Sequence, residues 1–216
     1  MQPMEIVNGL AQAYAEKFTS AEDSLLSEVA KFTYTQHAHS QMLSGHLQGK
    51  FLEMVSCMVK PQRILEIGTF TGYSALCLAK GLTAGGVLHT VELRNDEATR
   101  AQSYFDRSFF KEQIILHIGN ALDIIGQLVE PWDLVFIDAD KPAYINYFNL
   151  VFPFVKQNGF ILADNVLFHG QVLETIVKGK NAKAIQAFNE FIWQRNDVEK
   201  LLLPIRDGLY LLRKLY

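Results

Sequence analysis

From Pro61 onward the chain alternates between short apolar runs and segments of helical period, and this alternation restricts its fold more than any other feature. The apolar runs cover 63–67, 87–91, 114–118, 134–137 and 159–163; the helical segments cover 73–81, 96–108, 121–128 and 142–155. Runs this short and uniformly apolar suit strands buried on both faces, as in a parallel sheet. The alternation therefore predicts a doubly wound, mostly parallel α/β architecture. The rhythm then changes. A helical segment at 182–195 precedes apolar runs at 200–204 and 209–214, joined by the short turn Arg206-Asp207-Gly208, so an antiparallel hairpin is expected at the sheet edge.

The first sixty residues are expected to be helical. Ser20 or Thr19 is expected to cap a helix starting near Ala21, with Glu22 and Asp23 in its first turn. A polar stretch at 33–40 separates it from an apolar-periodic helix over 45–59, which Pro61 ends. No repeat or linker divides the 216 residues, so one domain is expected over 1–216, with 1–60 as a helical cap and 61–216 as the α/β core.

Composition narrows the function classes. With 49% hydrophobic and 20% charged residues the chain has the makeup of a globular protein. A formal net charge of -3 supplies no general attraction to phosphate backbones and disfavours obligate nucleic-acid binding, although a local basic patch would suffice for an RNA. Cys57 and Cys77 lie in apolar runs without ligand spacing, which points to a reduced compartment. There is no basic-then-apolar leader and no apolar run of membrane-spanning length, so the protein is expected to be cytoplasmic and soluble.

The first strand runs into Leu65-Glu66-Ile67-Gly68-Thr69-Phe70-Thr71-Gly72-Tyr73-Ser74. In open α/β sheets ligands bind outside the carboxyl ends of the strands, near the reversal of strand order. Gly68 would let the backbone approach a ligand, Gly72 eases entry into the helix, and Ser74 can place its hydroxyl near the first-turn amides. Glu92, at the end of the second strand, is placed to accept both hydroxyls of a ribose, a device that NAD enzymes share. Two details favour S-adenosylmethionine. The glycines follow G-x-x-x-G instead of the dinucleotide G-x-G-x-x-G. In addition, Glu66 would orient a cationic amino-acid ligand but oppose a pyrophosphate.

The fourth strand ends in Asp138-Ala139-Asp140-Lys141 and the fifth in Asp164-Asn165. Parallel strands bring both ends to the edge that carries the glycine turn. Asp138, Asp164 and Asn165 then offer three hard oxygens, which suit Mg²⁺, with Mn²⁺ or Ca²⁺ also compatible. A bound cation would lower the pKa of an acceptor hydroxyl and fix its position for methyl transfer. Lys141 is either a base with a depressed pKa or a solvated lysine, whereas Asp140 reads as an N-cap before Pro142.

Together these segments resemble the cation-dependent class I O-methyltransferases, the family of caffeoyl-CoA O-methyltransferases, catechol O-methyltransferase and many bacterial relatives. The resemblance runs from Gln41-Met42-Leu43-Ser44 through 66–74, Val91-Glu92, Gly119-Asn120-Ala121, 137–141 and 163–167 to 203–209. It implies a Rossmann-like methyltransferase fold. It also implies that Ser44, Glu66, Gly68, Thr69 and Ser74 contact the methionine part of the cofactor, that Glu92 binds the ribose, and that Ala121 lies in the adenine pocket. Asp138, Asp164 and Asn165 match the family's metal ligands, Asp138 also lying beside the cofactor, and Lys141 stands where catechol enzymes keep their catalytic lysine. A homodimer is implied as well. The loop Phe168-His169-Gly170-Gln171-Val172 departs from the Trp-Asn-Gly-Ser-Val of plant caffeoyl-CoA enzymes, so a small phenolic or catechol acceptor is favoured over a thioester. A tRNA 5-hydroxyuridine acceptor, used by some bacterial relatives, is the alternative within the family; an NAD-dependent oxidoreductase is the alternative outside it.

His37, His39 and His46 do not share a helical face and are read as solvated or substrate-lining, with no acid near them in sequence. Phe105, Phe109, Phe110, Trp132 and Trp193 are read as packing or interface residues.

Overall fold

The computed structural model describes residues 6–216. Three helices lead the chain: α1 (Gly9–Lys17), α2 (Ser24–Gln36) and α3 (Gly45–Val59). The α/β part follows as β1 (Arg63–Ile67), α4 (Tyr73–Ala79), β2 (Val87–Glu92), α5 (Asn95–Phe105), β3 (Ile114–Ile118), α6 (Ala121–Ile125), β4 (Trp132–Ile137), α7 (Tyr144–Val151), β5 (Val155–Asp164), α8 (Lys180–Trp193), β6 (Val198–Leu203) and β7 (Leu209–Lys214). The strands form one seven-stranded sheet in the order β3-β2-β1-β4-β5-β7-β6. β1 to β5 pair in parallel, and β7 lies antiparallel between β5 and β6. The expected doubly wound sheet and C-terminal antiparallel hairpin are both present.

Alternate residues of each strand enter opposite cores, which explains the unbroken apolar runs. Ile64, Leu88, Leu134 and Phe136 pack with Leu52, Val55 and Phe105 from α3 and α5. Leu65, Ile67, Val135 and Ile137 pack with Tyr144, Phe148 and Phe188 from α7 and α8. Trp132 is fully buried, as expected of a packing residue, whereas Trp193 and Phe109 are exposed.

The start of α2 departs from expectation. Asp23 caps it, accepting the Leu26 N–H at 2.9 Å, while the Thr19 hydroxyl donates to the Ala15 carbonyl behind it. A carboxylate that satisfies an orphan amide and meets the helix dipole outcompetes the hydroxyls upstream. At the end of α3, Lys60 takes the left-handed conformation before Pro61.

The strand order reverses between β1 and β4, and the backbone there is in close contact. Asp138 N–H donates to the Ile67 carbonyl at 2.9 Å, and a Cβ on Gly68 (φ 104) would stand 2.0 Å from the Asp138 carbonyl oxygen. Glycine at 68 is therefore required by the neighbouring strand end, before any ligand is considered.

Candidate functional site

A cavity of about 630 Å³ opens at the carboxyl edge of the sheet, over the reversal of strand order. Every site residue expected from the sequence lines it except Glu66 and Asp164, which lie fully buried beneath its wall. A second cavity of about 390 Å³ adjoins it under α1, and Gln41, Ser44, Asn165, His169, Arg206 and Asp207 line both.

On the β1–β2 side, two buried carboxylates have different partners. Both oxygens of Glu92 accept backbone N–H groups, from Phe70 at 2.8 Å and Arg94 at 3.0 Å, which fixes the carboxylate at the cavity wall. Glu66 pairs with Thr90 across β1 and β2; the Thr90 hydroxyl donates to Oε2, Ser74 also bonds the carboxyl, and Oε1 has no partner. Burial pushes the Glu66 carboxyl up to about 8, against the pull of the Ser74 and Thr90 hydroxyls. Ser74 therefore serves Glu66, where the sequence suggested first-turn amides. The Thr69 hydroxyl pairs inward with Thr90, leaving other parts of Thr69 to face the cavity. Ser44 precedes α3 without a side-chain capping bond. Ala121 opens α6, which Asn120 caps by accepting the Leu122 N–H at 2.9 Å.

On the β4–β5 side, the parallel register puts Asp138, Asp164 and Asn165 at neighbouring strand ends. Asp164 Oδ2 accepts from Gln48 Nε2 at 2.7 Å and Oδ1 from the Asn165 N–H at 2.7 Å. Burial, then the Asp138 carboxylate, raise the Asp164 carboxyl above its ordinary value. Lys141 Nζ donates to Asp138 Oδ1 at 2.9 Å and to Tyr144 Oη at 2.8 Å, and Tyr144 Oη donates to the Asp164 carbonyl at 3.0 Å. Among the described residues no three His, Cys, Asp or Glu side chains gather as a metal cluster. Asp138 and Asp164 face Lys141, with Arg206 also acting on Asp164, and together with the Asn165 amide they offer hard oxygen donors of the kind that fit a divalent cation.

The sequence reading of Lys141 as a base requires both burial and a bound cation, and burial alone does not depress its pKa. Burial does pull the ammonium downward, but Asp138, Tyr144 and Asp164 outweigh it and hold Lys141 above the usual lysine value. Asp140 precedes its turn as expected, although its side chain makes no capping bond.

His37 and His39 stay together, the His39 N–H donating to His37 Nδ1 at 3.0 Å, and His46 stands apart. His46 lines the second cavity, and His39 is exposed. His37 does have an acidic partner, Glu97 Oε1 at 2.6 Å, supplied by α5 sixty residues away. Sequence reasoning also missed Gln48, Tyr144, His169 and Arg206. Gln48 was detectable as a polar residue on the apolar face of α3, Tyr144 follows Lys141 by three residues and His169 follows Asn165 by four, whereas Arg206 meets the site only through tertiary approach.

The family profile described as O-methyltransferase matches residues 16–215. A catechol O-methyltransferase from Niastella koreensis is 36% identical over 162 residues, 73% of each chain. Caffeoyl-CoA O-methyltransferase 2 from Populus trichocarpa is 27% identical over 207 residues, covering 90% of this chain and 83% of the relative. Among solved structures, the S-adenosylhomocysteine-bound methyltransferase PaMTH1 of Podospora anserina superposes with a TM-score of 0.88 at 27% identity, covering 96% of this chain and 94% of that one. The S-adenosylmethionine complex of the O-methyltransferase TomG from Streptomyces achromogenes gives 0.87 at 28% identity, covering 96% of each chain. A family match across nearly the whole chain, on a sheet that places the glycine turn and strand-end acids at one edge, shows that this chain belongs to the class I S-adenosylmethionine-dependent O-methyltransferase family.

Proposed function

We propose that the protein transfers the methyl group of S-adenosylmethionine to a hydroxyl of a catechol-type or other small phenolic acceptor, with a divalent cation, Mg²⁺ by donor chemistry, held by Asp138, Asp164 and Asn165. The observation that carries this reading is the convergence of two carboxylates and an amide on neighbouring strand ends beside the cofactor cleft. When bound, S-adenosylmethionine supplies an electrophilic methyl group and the cation lowers the pKa of the acceptor hydroxyl.

The chain's own residues do the rest. Glu92, held by two backbone N–H groups, keeps lone pairs for the ribose hydroxyls. The unpartnered Oε1 of Glu66 is the acceptor that the cofactor's ammonium end satisfies. Gly68, Thr69 and Ser44 wall the methionine end, and Ala121 the adenine end. Gln48 orients Asp164 as a ligand. Lys141 now bonds the Asp138 oxygen that a cation would take; Nζ, after releasing its own proton to solvent, would then stand beside Tyr144 as a base for the acceptor's hydroxyl proton. The same reading includes a homodimer.

The test is direct. Purified protein with S-adenosylmethionine and Mg²⁺ is expected to methylate an o-diphenol, with activity lost on EDTA treatment and restored by Mg²⁺. Full activity after thorough metal removal would sink the metal assignment. Methylation of bulk tRNA but of no phenol would move the acceptor to the RNA alternative.

A further inference from the structure

Backbone strain gathers around the larger cavity. Among the described residues seven non-glycine residues adopt positive φ, and five of them, Phe70, Asn165, Phe168, His169 and Arg206, line that cavity. Left-handed backbone is unfavourable for any residue with a Cβ, and glycine would remove the cost. Arg206 (φ 52) sits in the turn between β6 and β7, two residues before Gly208, which takes the same region freely. The turn is clamped to the segment after β5: the Val166 N–H donates to the Gly208 carbonyl at 3.1 Å and the Leu167 N–H to the Asp207 carbonyl at 2.9 Å. A long cation is thus held, under strain, where the two cavities meet.

Arg206 is half-buried as a residue, and its guanidinium is aimed by one bond, from Nη2 to the Gln41 carbonyl. Among the described residues no carboxylate forms an ion pair with it. None of the acids nearby touches it. Asp207 accepts the His169 N–H on Oδ1 and keeps a buried, unpartnered Oδ2, Asp164 feels the Arg206 charge without contact while bonded by Gln48 and Asn165, and Glu16, across the second cavity, accepts Gln12 Nε2 at 2.7 Å. A planar fork of donors with no carboxylate in direct contact, facing a cavity, matches a carboxylate in geometry and charge.

We infer that Arg206 determines acceptor specificity, selecting catechols that carry a carboxylate remote from the reacting hydroxyl. The inference rests on the proposed function for the catechol part and on Arg206 alone for the carboxylate part. Arginine at 206 is then retained for recognition, in spite of its backbone cost.

Calorimetry on the full chain with S-adenosylhomocysteine and Mg²⁺ separates the two parts. The probes are protocatechuate, caffeate, their methyl esters, and dopamine. The acids are expected to bind about tenfold or more tightly than their esters. Arg206→Gln is expected to bring the acid-to-ester ratio near unity, and Arg206→Lys to keep part of it. Arg206→Gly supplies a second charge deletion with relaxed backbone, and is expected to lose the ratio while melting no lower than the parent. Equal binding of acid and ester by the parent, tighter binding of dopamine, or an unchanged ratio in Arg206→Gln or Arg206→Gly would overturn the inference. Methyl transfer is followed separately. Acid-selective binding without transfer to any catechol defeats the proposed function and leaves Arg206 as an anion selector; transfer without acid selectivity does the reverse.

Discussion

Strand β4 has an aspartate at each end, and the two share one chemistry and one degree of exposure, with 20% of each side chain accessible. At the start, Asp133 Oδ2 accepts the Gln62 and Arg63 N–H groups at 2.8 and 2.9 Å, and Oδ1 accepts Lys156 Nζ at 2.7 Å. It ties β4 to the beginning of β1 and to β5. Past the far end, Asp138 has a single side-chain partner, Lys141, and faces a second carboxylate that burial has already made costly to ionise. Burial does not distinguish a structural acid from a functional one here. Partners do. An acid whose lone pairs are filled by backbone amides stabilises the fold, whereas one left crowded against its own kind is poised for a ligand.

The contrast is broken most decisively at Asp138. Asp138→Ala is expected to lower kcat by about 10³-fold or more, since an ion-holding site contributes several kcal/mol to charge stabilisation. Stability should fall less than turnover, because the buried Lys141 loses its carboxylate partner while Asp164 is relieved of a like charge. A turnover rate within about tenfold of the parent would remove Asp138 from the site.

Asp133→Ala should show the opposite pattern. Loss of two backbone bonds and a partly exposed ion pair is expected to cost about 2 kcal/mol of unfolding free energy in urea titration. Turnover at saturating cofactor should stay close to the parent's. A variant with full stability and impaired turnover would erase the distinction between the two ends.

Glu66 lies between these cases, with Oε2 held and Oε1 free, and its effect is the smallest. Burial raises its folded-state pKa to about 8, above the ordinary 4.5. The protonated form is thus favoured by folding. This contribution to stability is complete below pH 4.5 and is lost as pH rises through about 8. A cationic ligand needs the ionised form, so cofactor affinity should rise toward pH 8 and then level off. Glu66→Gln is expected to weaken cofactor binding about tenfold at the upper end and to flatten both pH profiles, checked by calorimetry and thermal melts. An unchanged pH profile would assign the titration elsewhere.

Much of this arrangement was legible in the sequence because it depends on local period and on strand ends. β1 and β3 begin and end where their apolar runs do, and Glu92, Asp138 and Asp164 follow from the parallel register. The start of β5 was not legible. Residues 156–158 fall between the helical segment and the apolar run expected from the sequence, and Asn158 takes φ 62, yet pairing of Val155 with Trp132 carries the strand through a register shift. Site residues that arrive by tertiary approach were also hidden. Gln48 reaches Asp164 across 116 residues, and Arg206 reaches the Gln41 carbonyl across 165. No spacing in the chain encodes such contacts.

The contact between Gly68 and the Asp138 carbonyl has a consequence for how the enzyme can diversify. On the proposed function, the turn that would cradle the methyl donor and the strand end that would anchor the acceptor's oxygen share one backbone joint, closed by the Asp138 N–H to Ile67 carbonyl bond and too tight for a Cβ. The span that the methyl group must cross is therefore machined into the main chain. Mutational drift in the acceptor loops can exchange one substrate for another without resetting that span, so selectivity and reach evolve on separate parts of the scaffold.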